Sequence, residues 1–340
     1  MMAHGRWWLM AFWLSVGLWG CQPAPQQAGA PARSPQEQRW IQAILDDARR
    51  PCTMQILLST GGDEMPKVIE YERPHPDFVR MTERSATGCM IGGKAFYPTT
   101  FLTPEKVIHW YPSQSRCRIV PRAPDKAGRE RIAQLFAQQA RLRVVGREQS
   151  QGQDWVIVEA SVPGGFTTRR YWIRAQGEPQ IGRIMVRDMW GRVMGDETRT
   201  QIQPVAPTAQ PFALPEPPRD WQIERVVNAP LTKEDKARLK AFKPPQGYQL
   251  ISATRRTCPC DSKQLSLVAL YSNGMDEFSV FFAAPGCGLL PASGNSPIAG
   301  SDKRGVVVAA RRADGWGIVI VGEVQPELAR EAVSRWTGKP

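Results

Sequence analysis

The sequence predicts an α+β protein with two units: an antiparallel half-barrel that wraps around helices, followed by a smaller α+β domain. Three observations support this class. Strand-like runs are numerous and joined by short turns, helical stripes are few, and one proline-rich segment divides the chain. With 340 residues and a hydrophobic fraction of 42%, the chain is long enough to form two compact domains.

The amino terminus predicts export from the cytoplasm. Arg6 precedes an apolar run over 7–20, and this run is shorter than the ~20 apolar residues that a membrane-spanning helix needs. A basic start, a short apolar core and a small residue before the cut are typical of a signal peptide. We therefore expect a signal peptide over 1–20 and a disordered, proline-rich tether over 21–38.

The end of this signal resembles the lipobox of bacterial lipoproteins. Its residues are Leu18-Trp19-Gly20-Cys21. The resemblance implies that Cys21 carries a lipid anchor, which would hold the chain on the membrane surface at the periplasmic side of the cell envelope. An ordinary signal peptide cut nearby and an uncleaved anchor remain open alternatives.

The first domain is predicted over 39–203. Apolar residues recur at helical spacing over 35–50 and over 125–142. Between and after these helices, short apolar runs bounded by glycine and proline predict the strands of an antiparallel meander. The predicted strands are 53–60, 66–73, 78–84, 107–112, 116–120, 143–148, 154–162, 166–174, 180–189 and 192–203.

A linker is predicted over 204–221, and a second domain over 222–340. Frequent prolines in the linker remove backbone donors and fix φ, which prevents regular structure. In the second domain, Thr232 and Asp235 have the spacing of a capping box for a short helix. Turn and helix signals follow, and they predict a type I′ hairpin at Asn273-Gly274, a second hairpin at Asp314-Gly315 and a closing helix over 326–336.

The formal net charge of +12 favours a polyanionic partner or surface. An exported protein does not meet the genome, so nucleic acid is excluded as a partner. The remaining candidates are anionic lipid head groups, glycolipids and an acidic protein segment. Basic residues scattered over solvated strand faces explain the charge equally well.

Of the seven cysteines, Cys21 belongs to the lipobox and the other six form an even set in a compartment that favours disulfides. Three lie in each predicted domain, so complete pairing requires one bridge between the domains. A metal site is not expected, because the C-x-C spacing at 258–260 differs from that of common zinc sites. The predicted pairs are Cys89 with Cys117, Cys287 with Cys258 or Cys260, and Cys52 with whichever of the last two remains.

No residue pattern predicts catalysis or a cofactor. After the signal, the histidines are His75 and His109, and neither lies in a zinc-protease motif; a nucleophile elbow, a P-loop and a dinucleotide-binding glycine motif are missing from the sequence. The carboxylate pair Asp276-Glu277 flanks a turn, where we expect it to be solvated. The sequence therefore favours a binding protein over an enzyme.

Short motifs in both domains carry a family resemblance. In the second domain, LYSNGM at 270–275 and FSV at 278–280 precede the strand IVIVGEV at 318–324. These resemble the C-terminal domain of the RseB/MucB family of periplasmic regulators. The first domain is similar too, in a half that the family shares with the lipoprotein carriers LolA and LolB, at RYWI (170–173), GEP (177–179) and DMWG (188–191).

The resemblance implies a LolA-like half-barrel whose concave apolar face can receive acyl chains. It implies a non-enzymatic regulator that binds the exported part of a membrane anti-sigma factor, shields it from a protease and responds to an acyl lipid or glycolipid. The alternative is a lipid or lipoprotein carrier like LolA and LolB. The candidate cavity residues, for which plain core packing is an equal explanation, are Met54, Ile56, Leu58, Val79, Met81, Val107 and Trp110.

Overall fold

A computed structural model describes residues 33–60, 65–86, 88–91, 94–150, 152–206, 214, 216–258, 261–287, 290, 298–302 and 305–338. The predicted signal peptide, Cys21 and most of the tether lie outside the described residues, as do Cys260 and part of the linker. Within the described ranges, no helix combines the length and the apolar character needed to cross a membrane.

The first unit consists of an open sheet, a small hairpin and two helices, α1 (Pro35–Asp47) and α2 (Lys126–Gln139). Its strands are β1 (Cys52–Thr60), β2 (Lys67–His75), β3 (Phe78–Glu83), β4 (Cys89–Ile91), β5 (Lys94–Phe96), β6 (Thr99–Leu102), β7 (Lys106–Tyr111), β8 (Arg116–Pro121), β9 (Arg141–Ser150), β10 (Gln153–Ser161), β11 (Thr167–Arg174), β12 (Ile181–Asp188), β13 (Val193–Pro204) and β14 (Gln222–Arg225).

Twelve of these strands form the sheet, in the order β14-β8-β7-β6-β3-β2-β1-β13-β12-β11-β10-β9, while β4 and β5 pair only with each other. Neighbours run antiparallel except β14, which pairs in parallel with β8. The sheet is open because its edge strands, β14 and β9, do not meet. Strand β14 lies beyond the predicted linker, yet it extends the first sheet; the domain boundaries at 203–204 and 221–222 stay predictions.

Both helices lie on one face of the sheet, which we call the helix-covered face. Ile41 of α1 and Phe136 of α2 belong to the same buried cluster as Val158 and Tyr171 of β10 and β11. Because strand side chains alternate, the residues between these point to the opposite face. The order of helices and strands confirms the predicted α+β class.

Local signals explain where α1 begins and ends. Ser34 caps the helix and forms a capping box with Glu37, and Pro35 stands in the first turn, where its missing N–H costs nothing. The helix ends at Asp47 rather than at the predicted residue 50. Beyond its end, the buried Arg73 guanidinium of β2 donates hydrogen bonds to the carbonyl oxygens of Ala48 (2.7 Å) and Arg50 (2.8 Å).

The second unit is a seven-stranded sheet with two helices, α3 (Lys233–Ala241) and α4 (Pro326–Thr337). Apolar residues of α4 pack in its core, and the predicted capping box of Thr232 and Asp235 opens α3. The sheet, in the order β15-β16-β17-β18-β21-β20-β19, consists of β15 (Asn228–Ala229), β16 (Gln249–Cys258), β17 (Asp261–Ser272), β18 (Glu277–Ala283), β19 (Ile298–Asp302), β20 (Gly305–Arg311) and β21 (Gly317–Gly322).

The loop between β17 and β18 differs from the prediction. Ser272 pairs with Glu277, so four residues form the connection, and only Gly274 has a positive φ, of 95°. A type I′ turn would need positive φ at Asn273 as well. The prediction of a type I′ turn at Asn273-Gly274 is therefore wrong; the Asn273 N–H instead donates to the Asp276 carbonyl across the loop, at 3.2 Å.

Candidate functional site

The predicted cavity residues divide between the two faces of the first sheet. Trp110 lies on the face opposite the helices, where it packs with Phe101 and Trp221. The other six belong to, or pack against, one cluster on the helix-covered face that also contains Tyr71 and Leu102. Five of those six are buried, and Leu58 is partly buried; they are Met54, Ile56, Leu58, Val79, Met81 and Val107.

A cavity of about 540 Å³ lies where the chain around hairpin β4–β5 stands over the sheet. Of the predicted residues, Met54 and Trp110 line it. Sequence reasoning missed the rest, because hairpin β4–β5 was not predicted and the polar strand residues have the pattern of a solvated face. The other lining residues are Thr53, Gln55, Glu70, Tyr71, Glu72, Arg80, Thr82, Arg84, Ala95, Phe96, Tyr97, Thr99, Phe101, Gln201 and Gln203.

The two units meet at the loop between β17 and β18, which we call the junction loop (residues 273–276). Asp276 is fully buried, and its carboxylate accepts hydrogen bonds from the backbone N–H groups of Phe166 (2.6 Å) and Thr167 (3.2 Å). The Thr167 hydroxyl and the Asn273 amide also donate to it. One carboxylate of the second unit thus accepts hydrogen bonds from the backbone N–H groups at the start of β11 in the first unit.

Further contacts surround the junction loop. Arg169 of β11 donates to the carbonyl of Met275 and lies 3.6 Å from the Glu323 carboxylate. Gln325 donates to the carbonyl of Gly165 at 3.1 Å. A Cβ atom placed on Gly274 would lie 2.2 Å from the backbone nitrogen of Phe136 in α2, so only glycine fits there.

Burial makes this junction electrostatically unusual. Loss of solvation raises the pKa of Glu277 to about 7 and that of Glu323 to about 8, against the attraction of Arg169. Burial also raises the pKa of Asp276, although its hydrogen-bond donors and Arg169 oppose the shift. The expectation that Asp276 and Glu277 are solvated is wrong, because their partners lie on strands that no local pattern connects to this turn.

The cysteines in the described part of the chain lie in buried positions. Cys258 and Cys287, a predicted pair, have their Sγ atoms 3.8 Å apart. Cys52 lies beside Arg73, at 3.7 Å, and burial raises its pKa. Cys117 is fully buried among aromatic residues. The side chain of Cys89 and all of Cys260 lie outside the described residues, so the disulfide pairs stay predictions.

His109 is a buried strand histidine that packs in the fold and has a hydrogen-bonding neighbour. Its Nδ1 lies 3.1 Å from the Thr100 hydroxyl, and burial, together with the nearby Arg118, lowers its pKa to about 4. Within the described residues, no cluster of three or more His, Cys, Asp or Glu side chains could hold a metal ion.

Comparison with solved structures shows that MucB has the same fold, an open sheet wrapped on helices and a second sheet with its own helices. The chain is similar to MucB in the Pseudomonas aeruginosa MucA/MucB complex, at 16% identity and a TM-score of 0.56, over 88% of this chain and 97% of that one.

Two further structures give the same result. MucB in complex with MucA(peri) matches at 16% identity with a TM-score of 0.54, and MucB alone matches at 14% with a TM-score of 0.52; each covers 88% of this chain and at least 96% of the other. No family model and no curated protein matches the sequence. The predicted resemblance to MucB is confirmed at the level of the fold.

Proposed function

We propose that this chain is a non-enzymatic regulator in the cell envelope that binds the exported part of a membrane anti-sigma-type protein. The observation that carries the proposal is the shared fold, which extends over both units, together with the fact that MucB has been solved in complex with MucA(peri).

Two exposed apolar residues lie where a partner could contact both units. Trp190 is 50% exposed and meets the buried Phe166 edge-on, with ring centroids 5.7 Å apart. Val227 is 59% exposed and connects β14 of the first sheet to β15 of the second. Exposed large apolar groups at such a boundary are typical anchors for a protein partner.

Site-specific photo-crosslinking in living cells tests the proposal. A photoreactive amino acid replaces Trp190 or Val227 in the full chain, and the exposed Glu331 of α4 serves as the matched control position. We expect positions 190 and 227 to capture one membrane protein whose cytoplasmic part binds a sigma factor, and position 331 to capture little of it. Capture of many exported lipoproteins instead would favour the carrier, and the proposal would be wrong.

The proposal includes an acyl lipid or glycolipid as a second ligand, received on the helix-covered face by the cluster around Ile56. Supporting it is the cluster itself, which brings many apolar side chains together on one face of the sheet. Native mass spectrometry of the envelope-purified chain should show a bound acyl species, which Ile56→Trp should displace. The control Ile223→Trp, on the exposed side of β14, should retain it.

Anchoring through Cys21 completes the proposed location. The sequence supports it by the lipobox resemblance and by the proline-rich segment that follows. Cys21→Ser should move the chain from the membrane fraction to the soluble periplasmic fraction and abolish labelling by radioactive palmitate. Membrane association that survives this substitution would point to an uncleaved anchor.

A further inference from the structure

The cavity under hairpin β4–β5 has features that core packing and the proposed partner do not explain. We propose that it is a binding site for a neutral saccharide. Its volume of about 540 Å³ lies within the roughly 300–1,000 Å³ of small-molecule sites. Its polar lining residues lie on the sheet face opposite the helices, and the inference rests neither on the proposed partner nor on the acyl ligand.

A β-bulge in β13 turns polar side chains into this cavity. Thr53 and Gln55 of β1 pair with Gln203 and Thr200, so β13 has one extra residue between them. Gln201 lies in this bulge with φ at 52°, a conformation that non-glycine residues adopt only at an energetic cost.

The bulge reverses the direction of the side chains that follow it. Arg199 contacts Asp47 of α1 at 2.6 Å, so it lies on the helix-covered face. Strict alternation from Arg199 would place Gln201 and Gln203 on that same face. Instead Ile202 packs against the helix-covered cluster, and both glutamines line the cavity. Bulges that redirect a side chain are typical of binding sites.

The cavity presents hydrogen-bonding groups to a ligand. Gln201 and Gln203 are exposed and Gln55 is partly buried, so the side-chain amides of all three are available to a ligand. Trp110 is 6% exposed, and its buried indole N–H has no acceptor within the described ranges. An amide offers both a donor and an acceptor, which suits the hydroxyl groups of a sugar.

The charged side chains that line the cavity indicate which class of ligand it can bind. The charged side chains are paired with each other: Arg80 with Glu72, and Arg84 with Glu70 at 2.7 Å. The site therefore has no net charge to attract a phosphate or another anion.

Aromatic rings form the rest of the wall. Phe96 packs against Trp110 with ring centroids 6.1 Å apart. The Arg84 guanidinium lies over the Tyr97 ring, 4.7 Å from the ring centroid. The C–H faces of pyranose rings stack on such aromatic surfaces. An acyl chain would instead cover the three side-chain amides without pairing them, which is unfavourable.

The test is a titration of the purified full-length chain with maltotriose and with tri-N-acetylchitotriose. Binding is measured by tryptophan fluorescence and by calorimetry. We expect at least one trisaccharide to bind with a Kd of about 1 mM or tighter. Gln201→Gly should weaken it at least about threefold, because it removes the amide while glycine keeps the left-handed backbone without strain. Trp110→Phe should weaken it about tenfold.

Gln149→Ala is the matched control, since Gln149 is an exposed glutamine on β9, at the far edge of the same sheet. It should leave the affinity unchanged. Absence of binding by both trisaccharides would overturn the proposal, and so would equal weakening by Gln149→Ala. Decanoate and inorganic phosphate are titrated in parallel; if either binds and Gln201→Gly weakens it while the sugars do not bind, the cavity is a site for that ligand instead.

Discussion

Asp276 is the residue on which the contact between the two units depends most. Its carboxylate is fully buried and accepts hydrogen bonds from the backbone of Phe166 and Thr167 on the other unit. Removing a buried acceptor leaves its donors unsatisfied, which costs more than the bond itself contributes. Asp276 therefore contributes a large share of the polar stabilisation at the junction, beside Arg169 and Gln325.

Asp276→Ala should lower the free energy of unfolding by about 3 kcal/mol or more, because several buried donors lose their acceptor together. The measurement is urea denaturation followed by tryptophan fluorescence. Asp314→Ala is the control: Asp314 occupies the other hairpin turn, is about half exposed, accepts a hydrogen bond from the Trp316 N–H and forms an exposed ion pair with Arg312. It should cost about 1 kcal/mol at most, and equal losses would contradict the importance of Asp276.

The junction carboxyls also predict how stability varies with pH. Burial raises the folded-state pKa of Glu277 to about 7 and that of Glu323 to about 8. A raised carboxyl pKa means that the folded state binds more protons than the unfolded state. The stabilising contribution of each carboxyl is therefore complete below its unfolded pKa, and it is lost as the pH rises through about 7 for Glu277 and through about 8 for Glu323. The depressed pKa of His109, about 4, acts in the opposite direction, but only below about pH 6.5.

The melting temperature should therefore rise by about 3 °C or more when the pH falls from about 9 to about 6.5. Glu323→Gln should flatten this dependence, since the amide does not titrate. Glu327→Gln, four residues later on an exposed position of α4, should leave it unchanged. A melting temperature that falls over this interval in the wild-type chain would contradict the assignment.

The junction loop shows how one hairpin connects two units. Gly274 approaches the backbone of Leu135 and Phe136 so closely that a Cβ atom would lie 2.2 Å from the Phe136 nitrogen. The four-residue loop, rather than a two-residue turn, places Asp276 and Gly274 against different elements of the first unit. The hairpin is thus part of the second sheet and also contacts α2 and β11.

Gly274→Ala should destabilise the chain by more than about 3 kcal/mol, since it combines a strained φ with a clash against backbone atoms. Gly315→Ala is the matched control, because Gly315 has a similar φ of 84° and its Cβ would lie 3.3 Å from Pro285. Gly315→Ala should cost only the strain of a non-glycine residue at positive φ, about 1–2 kcal/mol. Thermal unfolding of both variants measures the difference, and equal effects would show that the close approach is unimportant.

The second unit also carries a predicted covalent link. Cys287 lies after β18 with its Sγ atom 3.8 Å from that of Cys258 on β16, within reach of a bridge after a small movement. Peptide mapping of the exported, non-reduced chain should find Cys287 bridged to Cys258 or Cys260. Recovery of Cys287 as an alkylated thiol would contradict the prediction.

Local signals predicted most elements of this fold. The Ser34 cap, the Thr232 capping box and the closing helix are visible in the sequence because a cap and a stripe involve residues only three or four positions apart. Burial of Asp276 is not visible, since its partners lie 109 and 110 residues away. The bulge at Gln201 was missed for a similar reason: it depends on the register with β1, which alternation within β13 does not reveal.

The whole molecule is held together by more than the junction loop. Phe166 and Met194 of the first unit belong to the same buried cluster as Phe278 and Trp336 of the second, so the two cores are continuous. The likeness to MucB extends over 88% of the chain and therefore includes both units. These observations indicate that the two units form one body, which carries the cavity proposed to bind a saccharide, the apolar cluster around Ile56 and the junction.

Direct binding to a membrane partner tests this account most directly. The measurement is calorimetric titration of the purified full-length chain with the exported segment of the membrane protein captured at positions 190 and 227. The account predicts a one-to-one complex with a Kd of about 1 µM or tighter. A segment that fails to bind the folded chain, or a crosslinked partner with no sigma-factor-binding part, would contradict it.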